Sequence, residues 1–413
     1  MTIAQADVYV TSPGRNFVSL RLVADDGVVG WGDATLNGRE LTVATEIEQH
    51  LVPLLMGRDD GAIQDMWQYL HRGVYWRGGP VAMTAIAAVD MALWDIKAKR
   101  AGMPLYQLLG GASRTGLLAY GHASGSTVDA LCIAIDNQLA QGLRAVRVQC
   151  GVPGLGQIYG LGGDQVLGGK YFYEPAKVHA VDGRPAPAEE VWDSHAYLAF
   201  LPRMLDEVRA RYGDELPLLH DVHHRLSPNE AACLAKDVEP HRLFWLEDCT
   251  PAEDQEALRL VRRHSTTPLA IGEVLSNAHD YRQLISERLI DYVRSSPTHA
   301  GGITGLKRIL DWAGLYGIRS GMHGPTDISP IGYAAGLHLG LAIHNFGIQE
   351  YMPHSEATLA AFRPTWRFDN GLLHPGDEVG LGVDPDLDQM EKRSHVPAYL
   401  PVARLTDGTV HDW

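Results

Sequence analysis

The chain of 413 residues is long enough for two domains, one of which could be a barrel of about 250 residues. Its formal net charge of −15 argues against a nucleic-acid or anionic-membrane partner, because both require a cationic surface. No apolar segment reaches the length of a membrane span and the N-terminus does not resemble a signal peptide, so we expect a cytoplasmic protein with no membrane partner.

The N-terminal part predicts a hairpin followed by helices. The stretch "FVSLRLVADDGVVGWGDA" gives two strands, and Asp26-Gly27 supplies the turn between them. The clearest helical pattern is "AMTAIAAVDMALWDIKAKR", where apolar residues from Ile86 to Ile96 recur at spacings of three and four. This helix is expected to end before Gly102.

From about residue 143 the pattern changes to short β-rich runs, each followed by an amphipathic segment of helical length. The runs are "LRAVRVQ", "LPLLHDVH", "LFWLEDC", "LAIGEV", "IDYVRSSP", "IRSGMHG" and "FGIQEYM". Strands that alternate with helices indicate parallel βαβ units, and this number of units favours a closed barrel over an open sheet.

Three acids end successive runs of this series. Asp221, Glu247 and Glu273 lie 26 residues apart each time, which fits one strand, one helix and two loops. Neighbouring strands lie about 4.8 Å apart, so acids at equivalent ends of three adjacent strands should converge. Carboxylates crowded together resist ionisation, and a hard cation such as Mg²⁺ relieves their repulsion. The alternative is that each acid is a solvated residue at a strand end.

Histidines surround the first of these acids in "PLLHDVHHRLSP". Alternation along a strand predicts that His223 points to the same side as Asp221, whereas His220 points away. A zinc site built from His220, His223 and His224 is the rival interpretation, but that alternation divides these residues between two faces. We assign no role to His224.

The motifs together resemble the enolase superfamily and, within it, the mannonate dehydratase family. "GVVGWGDA" and "ALWDIKAKRAGMPLYQLLGG" resemble the superfamily's capping domain, and the three acids resemble its Mg²⁺ ligands. "VRVQ", "HDVHHR", "WLEDC" and "HGPTDISPIG" resemble the mannonate dehydratase branch. The resemblance implies an α/β protein: an N-terminal α+β capping domain (1–120), a (β/α)7β TIM-like barrel (121–385) and a C-terminal tail (386–413) that returns to the cap.

The usual catalytic bases of the superfamily are missing. Arg147-Val148-Gln149 stands where many members have a Lys-x-Lys pair, and His323 lacks an aspartate partner because Arg294 ends the preceding strand. The branch resemblance instead implies that Tyr159, paired with Arg147, is the base. A guanidinium would favour the phenolate of Tyr159. From spacing alone, Tyr159 would be an ordinary aromatic in a glycine-rich loop, "GVPGLGQIYGLGGDQVLGGKYFYEP".

The resemblance implies the remaining site residues one at a time. His223, when protonated, would be the acid that donates to the departing 3-hydroxyl. Residues expected to contact a small aldonic acid are Asn37, His122, Arg294, His323, Asp327, Glu350 and the terminal Trp413. A homo-oligomer is also expected.

The function implied is Mg²⁺-dependent dehydration of D-mannonate to 2-keto-3-deoxy-D-gluconate. D-gluconate dehydration, or weak activity on both acids, is the alternative, because Pro325 stands where efficient mannonate dehydratases tend to have alanine. A second alternative is a sugar-acid-binding regulatory protein that resembles starvation-sensing members of the branch. The combined acid, base and metal residues favour an enzyme, since ligand binding alone requires no proton donor opposite a proton acceptor.

Overall fold

The computed structural model describes residues 1–156, 186–390, 395–397 and 399–412, together with the backbone of short strands between residues 166 and 185. None of the helices in this described part is long and apolar enough to cross a lipid bilayer.

The N-terminal region is an antiparallel sheet covered by helices. The strands, in the order β1-β2-β3, are β1 (Ile3–Thr11), β2 (Phe17–Ala24) and β3 (Val29–Asp33). The helices are α1 (Glu40–Thr45), a π-helical turn (Glu46–Leu51), α2 (Val52–Leu55), α3 (Ile63–Arg72), α4 (Pro80–Arg100) and α5 (Leu105–Leu108).

Two predictions for this region are confirmed. Strands β2 and β3 form a hairpin in which Gly27 has a φ of 83°, and α4 ends before Gly102, which has a φ of 65°. A side chain at Gly32 would collide with the carbonyl oxygen of Ala88. Glycine at this position therefore lets β3 lie directly on α4.

The remaining strands, in chain order, are β4 (Leu117–Gly125), β5 (Val146–Cys150), β6 (Val166–Leu167), β7 (Lys170–Tyr171), β8 (His179–Val181), β9 (Arg184–Ala186), β10 (Glu189–Trp192), β11 (Leu218–Asp221), β12 (Trp245–Glu247), β13 (Leu269–Ile271), β14 (Tyr292–Ser295), β15 (Arg319–Met322), β16 (Phe346–Glu350), β17 (Arg367–Asp369), β18 (Leu372–His374) and β19 (Val402–Leu405). The remaining helices are α6 (Val128–Ala140), α7 (Ser194–Tyr212), α8 (Pro228–Asp237), a 3₁₀ turn (Glu239–His241), α9 (Ala257–His264), α10 (Arg282–Ser286), α11 (Gly302–Leu315), α12 (Pro330–Ala342), α13 (Glu356–Phe362) and α14 (Leu387–Met390).

Eight of these strands close into a parallel barrel. Strands β4, β5 and β11 to β16 pair in sequence, and β16 returns to β4 through Glu350 and Tyr120. Helices α6 to α12 connect them one by one, so the barrel is (β/α)7β, as predicted. Each of the seven β-rich runs contains one barrel strand. Buried side chains fill the barrel interior below the carboxyl ends of the strands: Tyr120, Ala145, Leu219, Trp245, Ala270 and Ile348.

The C-terminal segment contacts both the N-terminal region and the barrel side. The Asn16 side chain donates to the Val396 carbonyl at 2.7 Å, and His395 lies 3.7 Å from Glu40. Strand β19 then pairs in parallel with β10. The segment thus connects the sheet of β1–β3 to the flank of the barrel.

Candidate active site

The three acids of the sequence series lie at the carboxyl end of the barrel. Asp221 and Glu247 are the last residues of β11 and β12, they pair in register, and both are fully buried. Glu247 is also opposite Ala270 of β13, so Glu273 lies beyond the equivalent register position, in the loop after its strand. Equal spacing in sequence therefore brings the acids to one end of the barrel without giving them equal register.

A fourth acid, Asp248, lies with Asp221 and Glu247 in a close group that does not include Glu273. Among the described residues, ligand atoms of Asp221, Glu247 and Asp248 lie within 4.8 Å of one another, an arrangement that could hold a metal ion. Strand alternation would direct Asp248 away from the barrel interior. However, β12 ends at Glu247 and Asp248 has a φ of 43°, which turns the chain at this point. Asp248 was not predicted as a site residue; its signal in the sequence is the second acid of "WLEDC".

Buried arginine side chains form ion pairs with the acids. The Arg294 Nε donates to Glu247 Oε1 at 2.6 Å, and its Nη2 donates to Glu350 Oε2 at 2.6 Å. Arg147 Nη1 donates to Asp221 Oδ2 at 2.7 Å. Arg294 is completely buried, so a polar layer of ion pairs forms the floor of the site.

Two histidines extend this layer. His122 Nε2 lies 2.8 Å from Glu350 Oε1, and His323 Nε2 lies 3.3 Å from Glu273 Oε2. Glu273 also approaches Arg294, with 4.0 Å between its Oε2 and the arginine Nη2. These side chains come from separate barrel strands and the loops that follow them, and they meet at the carboxyl end of the barrel.

The pKa shifts reflect the burial of these acids first and the charges around them second. Burial raises the pKa of Glu247 to about 7 despite the attraction of Arg294. Burial and neighbouring carboxylates raise the pKa of Asp248 and of Glu273 well above the ordinary values. Burial alone would also raise the pKa of Glu350, but Arg294 and His122 hold it well below its usual range. A hard cation near Glu247, Asp248 and Glu273 would relieve the cost of ionising them.

His223 contacts Asp221, although for a reason other than strand alternation. The strand ends at Asp221, and His223 has a φ of 53°. Its backbone N–H donates to Asp221 Oδ1 at 2.9 Å, and its Nε2 lies 3.1 Å from Oδ2. Burial lowers the pKa of His223 well below its ordinary value, even though Asp221 attracts the imidazolium.

The other two histidines of this stretch have separate partners. His220 points away from the acids, with Nδ1 at 2.8 Å from the Val148 carbonyl and Nε2 at 2.7 Å from the Tyr197 hydroxyl. His224 Nδ1 lies 2.9 Å from the Thr250 carbonyl, and its Nε2 lies 3.4 Å from Asp248 Oδ2. Three histidines with divergent partners do not form the zinc site considered above.

Side chains of the N-terminal region contact the loop that follows β15 at the carboxyl end of the barrel. Asn37 Nδ2 donates to Asp327 Oδ2 at 3.3 Å, and Arg15 Nη1 donates to Thr326 Oγ1 at 3.1 Å. The loop from His323 to Asp327, which contains Pro325, is therefore held near its C-terminal end by two side chains of the N-terminal region. Of the predicted site residues, Tyr159 and Trp413 lie outside the described part of the chain.

Comparisons with known proteins agree with this architecture. Residues 8–110 match the mandelate racemase / muconate lactonizing enzyme N-terminal domain, and residues 195–390 match the enolase C-terminal domain-like family. A D-galactonate dehydratase family member from Pseudarthrobacter chlorophenolicus is 57% identical, with 100% of both chains covered. A D-mannonate dehydratase from Sphingomonas sp. is 54% identical over 100% of this chain and 99% of its own. A solved enolase structure from Pantoea ananatis, with bound D-gluconate and Mg, is 36% identical, covers 100% of both chains and has a TM-score of 0.89.

Proposed function

The chain belongs to the mannonate dehydratase family of the enolase superfamily, and we propose that this sugar-acid dehydratase converts D-mannonate to 2-keto-3-deoxy-D-gluconate. The observation that carries this proposal is the buried group of acids at the carboxyl end of the barrel, with cationic and histidine side chains around it. A relative that is 54% identical over its whole length is a D-mannonate dehydratase. The expected homo-oligomer and the domain limits remain predictions.

The metal that we propose is Mg²⁺, held by Asp221, Glu247 and Glu273. These three ligands offer only carboxylate oxygens, which suit a hard cation, and burial raises the pKa of Glu247 and of Glu273, so a bound cation would favour their ionised forms. Mg²⁺ bound there would hold the substrate carboxylate and stabilise the negative charge that develops next to it. The bound Mg in the Pantoea ananatis relative supports this choice of ion.

Two groups on this chain would move the protons. We propose that Tyr159, with Arg147 beside it, removes the proton from C2, and that His223 donates a proton to the 3-hydroxyl, which leaves as water. The resulting enol then tautomerises to the 2-keto acid. Arg147 is buried beside Asp221, and its positive charge would favour the phenolate form of Tyr159. Burial lowers the pKa of His223 in the free protein, so the charges of a bound substrate would have to favour its protonated form.

The remaining predicted residues would bind the polyol chain. Asn37 and Asp327 already meet above the barrel end, and His323 lies beside Glu273. Arg294, Glu350 and His122 form the polar floor, and the tail Trp413 would cover the substrate. Hydroxyl groups spaced along a chain would satisfy such donors and acceptors from two sides of the cavity.

Dehydration of D-gluconate is the second candidate. Pro325 is the residue of this sequence that favours it, and the Pantoea ananatis relative has D-gluconate bound. The two acids differ only in configuration at C2, which is the carbon that loses its proton. The orientation of the 323–327 loop over that end of the substrate would decide between them.

A panel of aldonic acids tests the proposal. Purified protein with Mg²⁺ is incubated with D-mannonate, D-gluconate and D-galactonate in separate reactions, and 2-keto-3-deoxy acids are quantified by chromatography. We expect the keto-deoxy product from D-mannonate above all. Product from none of the acids would contradict the proposed function, and product mainly from D-gluconate would favour the second candidate.

A further inference from the structure

Trp245 donates a buried hydrogen bond to Glu247, one of the proposed metal ligands. The two residues lie two positions apart on β12, so both side chains point into the barrel. The indole Nε1–H of Trp245 donates to Glu247 Oε2 at 2.8 Å, while Arg294 Nε donates to the other carboxylate oxygen at 2.6 Å. Each oxygen of Glu247 therefore accepts one hydrogen bond from a buried donor, which fixes the plane of the carboxylate.

The indole itself is held on several sides. Tyr120 meets it edge-on at 5.7 Å between ring centroids, and the rings of Phe244 and Tyr292 lie at 5.3 and 5.1 Å. Across the barrel, a Cβ at Gly321 would lie only 2.7 Å from the Cη2 atom of Trp245. Glycine on β15 thus leaves the space that the indole ring fills, and the ring cannot shift toward β15 if a side chain is added there.

We propose that Trp245 is a positioning residue for the metal site: it orients Glu247 so that one lone pair of the carboxylate faces a bound Mg²⁺. This inference rests on the proposed metal site. Side chains that hydrogen-bond to metal ligands set the orientation of the ligand before the metal arrives, and their loss commonly weakens metal binding. An indole that served only to fill the barrel would affect stability and leave metal affinity unchanged.

Mg²⁺ binding by the full-length protein tests this role without depending on turnover. The protein is stripped with EDTA, dialysed and titrated with MgCl₂ in a calorimeter. Trp245→Phe keeps an aromatic ring but removes the N–H donor, and we expect its Kd for Mg²⁺ to rise about 10–100-fold. The matched control is Trp67→Phe in α3, which loses an indole bond to the Gly301 carbonyl at 2.7 Å and touches none of the acids. That control should bind Mg²⁺ as the wild type does.

A second variant keeps the test decisive if Trp245→Phe does not fold. Gly321→Ala retains the indole N–H but displaces the ring, so it should also weaken Mg²⁺ binding. Wild-type affinity in a folded Trp245→Phe protein, or in Gly321→Ala if the first variant is unfolded, would overturn the inference. If the wild type itself binds no Mg²⁺, the proposed metal site fails instead, and the two failures are thereby distinguished.

Discussion

Removal of Arg294 should destabilise the protein because Glu247 and Glu350 would remain buried without their shared cationic partner. Arg294 is completely buried and donates to both Glu247 and Glu350 at 2.6 Å. In Arg294→Met the side chain has a similar length but offers no donor, so two buried carboxylates lose their shared partner. Loss of one partner of a buried ion pair costs about 3–5 kcal/mol of unfolding free energy. Because Glu247 has a pKa of about 7 even beside Arg294, protonation offsets part of its loss, and Glu350 carries most of the penalty.

The loss of unfolding free energy in Arg294→Met should increase as the pH rises. In the wild type, Arg294 and His122 lower the pKa of Glu350, although burial alone would raise it. Glu350 therefore adds stability above its unfolded pKa of 4.5, and this stability is lost as the pH falls through the lower pKa of the folded state. Without Arg294, burial acts with less opposition and raises the folded pKa, so the variant loses stability as pH rises. The difference between the two proteins should therefore grow from about pH 5 to about pH 8.

Urea denaturation followed by circular dichroism, in EDTA and at both pH values, measures this difference. Arg404→Met is the matched control, because it removes a bidentate partner of Glu189 on the surface and should leave stability near the wild-type value. A loss below about 1 kcal/mol at both pH values, or one that shrinks as pH rises, would refute the reasoning for Arg294.

Three further predictions concern the reaction. Tyr159→Phe should lower dehydration by about 10²–10⁴-fold and also abolish exchange of the C2 proton with deuterium measured by NMR, and near-parental dehydration would exclude Tyr159 as base. His223→Asn should block departure of the 3-hydroxyl while deuterium exchange at C2 persists, because removal of the C2 proton comes first. Loss of the exchange as well would show that His223 also takes part in removal of the C2 proton. Pro325→Ala should raise kcat/KM for D-mannonate relative to D-gluconate, because proline fixes the backbone of the loop between His323 and Asp327. An unchanged ratio in competition assays would show that Pro325 does not set specificity.

The sequence predicted the barrel because its signals are local. Each β-rich run ends in polar residues and precedes an amphipathic helix, and all seven runs contain a barrel strand. The acids at 221 and 247 could be placed at strand ends for the same reason, and the parallel register brings them together. Arg147 and His122 lie on adjacent strands in register, which also follows from the order of the barrel strands.

Other features depend on backbone conformation and on contacts across the barrel, which spacing does not encode. Asp248 joins the acids, and His223 reaches Asp221, because both residues have positive φ angles just after a strand. Glu273 lies past its strand because β13 pairs with β12 through Ala270. The ring of Trp245 on β12 packs against Gly321 on β15, and these two strands are not neighbours in the barrel. Only the folded barrel reveals such pairs.

Comparison of the wild type with Glu247→Gln tests the proposed metal-dependent dehydration. We expect purified wild-type protein with Mg²⁺ to convert D-mannonate to 2-keto-3-deoxy-D-gluconate, and excess EDTA to stop the reaction. Glu247→Gln, shown by circular dichroism to be folded, should form no product because it lacks one of the carboxylates proposed to hold the metal. Full activity in Glu247→Gln, or undiminished activity of the wild type in excess EDTA, would contradict the central claim.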